Sequence, residues 1–119
     1  MIGKRTWVFA DGDLPPKGDS EPFGHEALSI TNCNASDAHM KITVYFPDKE
    51  PIRDVPVTVK GERVLCFHLE SPWGDEGQAV CAPGQYALKI ESDVPVVCVF
   101  GRLVRRHDVS YYEMDGYSQ

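Results

Sequence analysis

Alternation of apolar and polar residues is the strongest signal along the chain. In "DAHMKITVYFPDKEP", from Asp37 to Pro51, Ala38, Met40, Ile42, Val44 and Phe46 are apolar, while His39, Lys41, Thr43 and Tyr45 are polar or amphipathic. Successive side chains of a strand point to opposite faces, so the run predicts a half-buried β-strand with His39 on its wet side. Asp48 and Glu50 then belong to the turn that the two prolines of "PDKEP" open. Runs of the same kind predict strands at Arg5–Ala10, Glu26–Asn32, Ala38–Phe46, Asp54–Val59, Arg63–Leu69, Tyr86–Ser92, Val96–Val104 and Asp108–Met114. Gly, Pro, Asn and Asp punctuate them, and no segment carries helical periodicity. The expected fold is a single all-β domain over residues 1–119, an antiparallel β-sandwich.

Two loops are too long for tight turns. They are "DGDLPPKGDSEPFGH", Asp11 to His25, and "ESPWGDEGQAVCAPGQ", Glu70 to Gln85, and loops of this length are where function collects. Trp73 in the second loop is read as an anchor against the core rather than a stacking surface for a ligand. Strand parity singles out two charged residues. Glu26 is in step with Leu28 and Ile30, and Arg63 with Leu65, Phe67 and Leu69, so both are expected to head inward unless their strands have already left the sheet there. A buried charge is expensive unless paired, which makes the two candidate partners, joined by Arg102 or Trp7 in one polar pocket. The run "VVCVFGRLV" is apolar on both parities up to Gly101 and is therefore central in the sandwich or covered by a neighbouring subunit.

Composition narrows the function classes. At 119 residues the chain has room for one core, and with 18 acidic against 12 basic side chains it does not bind nucleic acid through bulk charge. Its one basic cluster is "RLVRRHD", with Arg102, Arg105, Arg106 and His107. No stretch approaches the roughly 20 apolar residues of a membrane span, and "MIGKRTW" lacks a signal-peptide core, so a cytoplasmic protein is expected. Cys33, Cys66, Cys81 and Cys98 form no C-x-x-C pair, and Cys66 and Cys98 sit inside apolar strand patterns. Free, metal-free thiols acting as small hydrophobes are expected.

Signatures of catalysis are missing: there is no G-x-S-x-G elbow, no phosphate-binding glycine loop and no H-E-x-x-H. His25, His39, His68 and His107 show no i, i+2 spacing on one strand, which argues against a metal site. His25 and Glu26 are adjacent and so face opposite sides of a strand, an arrangement unsuited to acid/base work on one atom. Neither a cofactor nor catalysis is expected.

The blocks "TWVFADGDLPP", "GHEALSITN", "DAHMKITVYFPDKEP" and "ESDVPVVCVFGRL" nevertheless resemble, in order and from Gly3 to about Leu103, those of the small soluble transducers typified by the Anabaena sensory rhodopsin transducer. The resemblance implies a cytoplasmic jelly-roll-type sandwich, a homotetramer, no enzymatic activity, and a small-molecule ligand for which a sugar is the candidate. By motif it carries over Trp7, Asp11, Gly12, His25, Glu26, Tyr45, Asp48, Glu50 and Arg102, and more loosely Arg63. The ligand-binding set expected is Trp7, Asp11, His25, Glu26, Glu50, Arg63 and Arg102. Two functions compete: a ligand-binding signalling module, and an interaction adaptor whose acidic loops dock a membrane receptor or other regulator without a small ligand. A pocket combining a ring with charged groups would favour the first, a flat surface the second.

Overall fold

A computed structural model describes residues 1–105 and 108–119; Arg106 and His107 of the basic run lie outside the described residues. Eight strands are formed among those described: β1 (Lys4–Leu14), β2 (His25–Asn32), β3 (Ala38–Tyr45), β4 (Ile52–Val59), β5 (Arg63–His68), β6 (Gly84–Arg105), β7 (Val109–Met114) and β8 (Tyr117–Ser118). All pair antiparallel. The first sheet runs β4-β3-β6-β1-β8, and the second places β2 and β7 on either side of β6, with β5 outside β2.

The strand β6 belongs to both sheets. Its residues up to Ser92 pair with β1 and β3, and those from Val97 onward with β2 and β7, so the segments read from the sequence as two strands are one bent strand. Asp93, Val94 and Pro95 make the bend, and a proline suits it because it removes a ladder donor. The inward set of alternating residues fills the space between the sheets: Phe9, Leu28, Ile30, Ile42, Val44, Leu88, Ile90 and Phe100 are buried. Phe9 and Phe100 meet edge to face with ring centres 5.6 Å apart, a favourable quadrupole arrangement.

Alternation along β3 holds with one exception. Thr43 is buried among alternating residues because the β3–β4 pairing shifts register between Ile42 and Val44, and its Oγ1 accepts from the Asp54 amide at 3.3 Å. Trp73 is the anchor expected of it: it is buried, and its ring stacks on Phe67 at 5.3 Å. Cys66 departs from expectation. It lies on the outer face of an edge strand and is exposed, whereas Cys81 and Cys98 are buried, and burial pushes their thiols up to about 11 and about 12.

Candidate functional site

Antiparallel pairing sets Glu26, near the start of β2, directly across from Arg102 on β6. Both point between the sheets, and Glu26 is buried completely. Arg102 Nε donates to Glu26 Oε2 at 2.7 Å. The hydroxyl of Tyr86 donates to Oε1 at 2.6 Å, and the Asp13 amide approaches both carboxylate oxygens at 3.2 Å. The guanidinium also donates through Nη2 to the Asp11 carbonyl at 2.6 Å and through Nη1 to the Tyr112 hydroxyl at 2.5 Å. Every guanidinium nitrogen is therefore engaged, the condition under which a buried ion pair is tolerated.

Gly12 makes room for this cluster. A Cβ at that position would stand 2.8 Å from the edge of the Tyr86 ring and 2.7 Å from its carbonyl oxygen, so only glycine lets β1 pass this close. The environment shows in the ionisation of the partners. Burial, reinforced by the bond to Glu26, raises the Tyr86 hydroxyl far above its usual range and keeps it a donor. Burial works against the Arg102 charge, but the bonds to Glu26 and Tyr112 outweigh it and the guanidinium is held more firmly protonated than usual.

On the opposite face of β2 from this cluster lies an open cleft of about 580 Å³, lined by Glu21, Pro22, Phe23, His25, His68 and Glu70. A second depression of about 460 Å³, which includes Lys17, Ser71 and Cys81, shares Phe23 and Glu70 with it. The imidazoles of His25 and His68 stack with centres 4.2 Å apart and planes 7° from parallel. Nδ1 of His25 is 2.8 Å from the Phe23 carbonyl, which can only accept, and Nδ1 of His68 is 2.9 Å from the Glu70 carboxylate. Both Nδ1 atoms therefore carry a proton, and in that tautomer each Nε2 is an acceptor. Glu70 Oε1 is shielded from solvent and has no hydrogen-bond partner among the described residues. One face of the Phe23 ring is covered by the Lys17 ammonium at 4.4 Å.

The expected ligand-binding set does not converge on one place. Glu26, Arg102 and the Asp11 carbonyl meet, whereas His25, on the other face of β2, lines the cleft. Arg63 does not join them: it pairs with Asn32, at the far end of β2, about 20 Å along the strand from Glu26. It is exposed, donating only to the Gly61 and Glu62 carbonyls. Its parity with Leu65 and Phe67 is real, but it opens an edge strand, where the inward direction is not covered. Trp7 is also elsewhere; its Nε1 donates to the carbonyls of Lys4 and Val96, and its ring stacks on Phe9. Glu50 is exposed in the β3–β4 loop, whose Asp48 lines a separate depression of about 320 Å³, and Tyr45 is exposed under Lys89.

A model of the family described as "Anabaena sensory rhodopsin transducer" matches residues 2–114. The chain belongs to the Anabaena sensory rhodopsin transducer family. Among solved structures, a Thermotoga maritima protein titled "Crystal Structure of Thermotoga maritima 1070" superposes with a TM-score of 0.85 at 28% identity, covering 100% of this chain and 97% of that one. The structure titled "Anabaena sensory rhodopsin transducer" superposes with a TM-score of 0.68 at 30% identity, covering 83% and 88%. No match was found among curated proteins. Membership supports a signalling-related role.

The functional candidates that sequence reasoning passed over are Phe23, His68, Glu70, Tyr86 and Tyr112. Tyr86 was within reach of the same parity argument, because it is in step with Leu88 and Ile90 as Glu26 is with Leu28. The stacking of His25 on His68 had no local signal, since it depends on the pairing of β2 with β5.

Proposed function

We propose that the protein is a non-enzymatic, cytoplasmic signalling module that binds a small polyhydroxyl, sugar-like ligand in the cleft beside His25 and relays its presence to a receptor or regulator. The observation that carries this reading is the Phe23–His25–His68–Glu70 cleft, with the paired Glu26–Arg102 cluster on the other face of β2. Sugar recognition needs an apolar ring and several polar groups at fixed angles. Here Phe23 supplies the ring, and the carboxylates of Glu21 and Glu70 and the two Nε2 atoms supply acceptors for hydroxyl protons. Glu26 and Arg102 act behind the site as positioning residues. The loop of residues 15–24 that carries Phe23 enters from β1, which the network grips at Asp11 and Asp13. Ligand contact with that loop thus reaches the centre of the sheet through hydrogen bonds, a route for a relay.

A homotetramer is part of the proposal, supported by Val97 and Val99, which stand 39% and 38% exposed on the outer face of the second sheet. The test of the ligand is a thermal-shift screen of neutral mono- and disaccharides. At a ligand concentration 100 times Kd the stabilisation is about 2.7 kcal/mol, several degrees in Tm. The shift should vanish in His68→Ala and Glu70→Gln and persist in Arg63→Ala. A screen in which no saccharide moves Tm would favour the adaptor reading, in which the acidic loop bearing Asp19 and Glu21 docks a protein directly.

A further inference from the structure

The cleft beside His25 is one-sided in its hydrogen-bonding chemistry. The side chains that line it are those of Glu21, Pro22, Phe23, His25, His68 and Glu70, and none of them has a proton left to donate. Glu21 and Glu70 offer carboxylates. His25 and His68, whose Nδ1 protons go to the Phe23 carbonyl and to Glu70 Oε2, offer Nε2 as an acceptor in that tautomer.

Its charge is one-sided as well. Among the described residues Glu21 forms no ion pair, and the only side-chain partner of Glu70 is the His68 ring, a neutral donor in the same tautomer. Glu70 Oε1 is shielded from solvent and unpartnered, so the charge of that carboxylate is only partly compensated. Two cations stand nearby without joining the lining. The Lys17 ammonium lies over the Phe23 ring and borders the adjoining depression, and Arg105 Nη2 donates to Ser20 Oγ at 2.8 Å. Neither forms an ion pair with Glu21 or Glu70.

We propose that the cleft selects an amino sugar, a ring bearing hydroxyls and one protonated amine, with the ammonium facing the Glu21 and Glu70 carboxylates. The inference rests on the reading of the cleft as a saccharide site and names the class of saccharide it prefers. A hydroxyl has one proton to donate and two lone pairs to satisfy, so a neutral sugar finds acceptors in this lining but no side-chain donor for its own oxygens. An ammonium has three donors and no acceptor, which is the complement of such a lining. Hydrogen bonds between an ammonium and a carboxylate are roughly twice as strong as neutral ones, and partial withdrawal from water strengthens the attraction further. The C–H face of the sugar can cover the Phe23 ring, whose π-face tolerates a positive charge close by, as the Lys17 ammonium at 4.4 Å shows. The same chemistry disfavours a uronate or a sugar phosphate, whose anion would meet two carboxylates and no cation in the lining.

Calorimetric titration of the full chain at about pH 7 tests this with glucosamine, galactosamine and mannosamine, each against its parent hexose. At least one amine should bind about 10-fold or more tighter than its parent, N-acetylation should abolish that gain, and glucuronate should bind more weakly than glucose. Because the gain is electrostatic, it should shrink several-fold between about 20 and about 500 mM NaCl. Glu21→Gln, a change at an exposed loop residue, should narrow the ratio of amine to parent affinity. Cyclohexylamine, an ammonium on a ring without hydroxyls, should bind at least about 10-fold more weakly than the best amino sugar. Parent hexoses that bind as tightly as their amines, or a preference indifferent to salt, to N-acetylation and to Glu21→Gln, overturn the ammonium preference and leave the saccharide reading standing. Cyclohexylamine binding as tightly as the amino sugars overturns the amino sugar as the ligand class. Absence of binding by every amine and every hexose at millimolar concentration overturns both the preference and the saccharide site.

Discussion

Replacing Glu26 by glutamine keeps the side chain's shape and removes its charge. In the folded protein the carboxylate receives Arg102 Nε, the Tyr86 hydroxyl and the Asp13 amide, all donors. A glutamine there must turn its NH₂ toward one of them, so at least one donor meets another. Tyr86 can adapt by rotating its hydroxyl to accept, but Arg102 cannot, and its charge is left buried without a counter-ion. Removing one partner of a buried pair costs about 3–5 kcal/mol. The guanidinium keeps its bonds to Asp11 and Tyr112, which favours the low end, about 3 kcal/mol, or roughly 10 °C in Tm for a domain of this size. Urea unfolding of Glu26→Gln, Arg102→Met and the double variant measures it. The double variant should be less destabilised than the sum of the singles by about 2 kcal/mol, because it leaves no orphaned charge. A Glu26→Gln loss below about 1 kcal/mol, or strict additivity, would refute the claim that this pair is a closed, desolvated unit.

Other consequences are open to direct measurement. Asn32 is buried and donates to the Ser36 and Val59 carbonyls while its Oδ1 accepts from Asn34; Asn32→Ala should cost about 2–4 kcal/mol in denaturant unfolding, since several groups lose partners together. Thiol labelling of the native protein at pH 8 should modify Cys33 and Cys66 quickly, and Cys81 and Cys98 only after unfolding. The raised thiols of Cys81 and Cys98 favour the folded state while protonated. Their contribution is whole below the unfolded value of 9 and is lost as pH climbs through about 11 and 12, so Tm should decline from pH 9 upward, and a flat profile to pH 11 would contradict it. Glu62 holds φ at 56°, a left-handed conformation that asparagine adopts more readily; Glu62→Asn should stabilise the protein by up to about 1 kcal/mol in thermal unfolding.

Much of the fold was legible because its strands obey period two. The parity that marked Ala38, Met40, Ile42 and Val44 as inward is the parity of the buried core, and it also buried Glu26 correctly. It failed at Arg63 for an identifiable reason. Parity says which face a residue takes, not whether anything covers that face, and β5 lies at an edge where cover is incomplete. The true partner of Glu26 was set by strand pairing: Arg102 stands opposite it across 76 residues of sequence, and no local pattern records that register. The same limit hid the continuity of β6, whose interruption at Pro95 reads as a turn in sequence and as a bend in three dimensions. The cleft was the least visible part. Phe23 stands in a Pro- and Gly-rich loop and His68 on an edge strand, and they line one cavity only because β2 and β5 pair where that loop ends.

Binding in this cleft is tested most directly by amide chemical-shift mapping of the labelled protein during titration with whichever saccharides shift Tm in the screen. Saturable changes confined to Glu21, Phe23, His25, His68 and Glu70, with weaker ones at Asp11 and Asp13 where the network grips β1, are the predicted result. Changes centred instead on Phe46 to Glu50 or on Arg63, or none at millimolar ligand, would contradict the account.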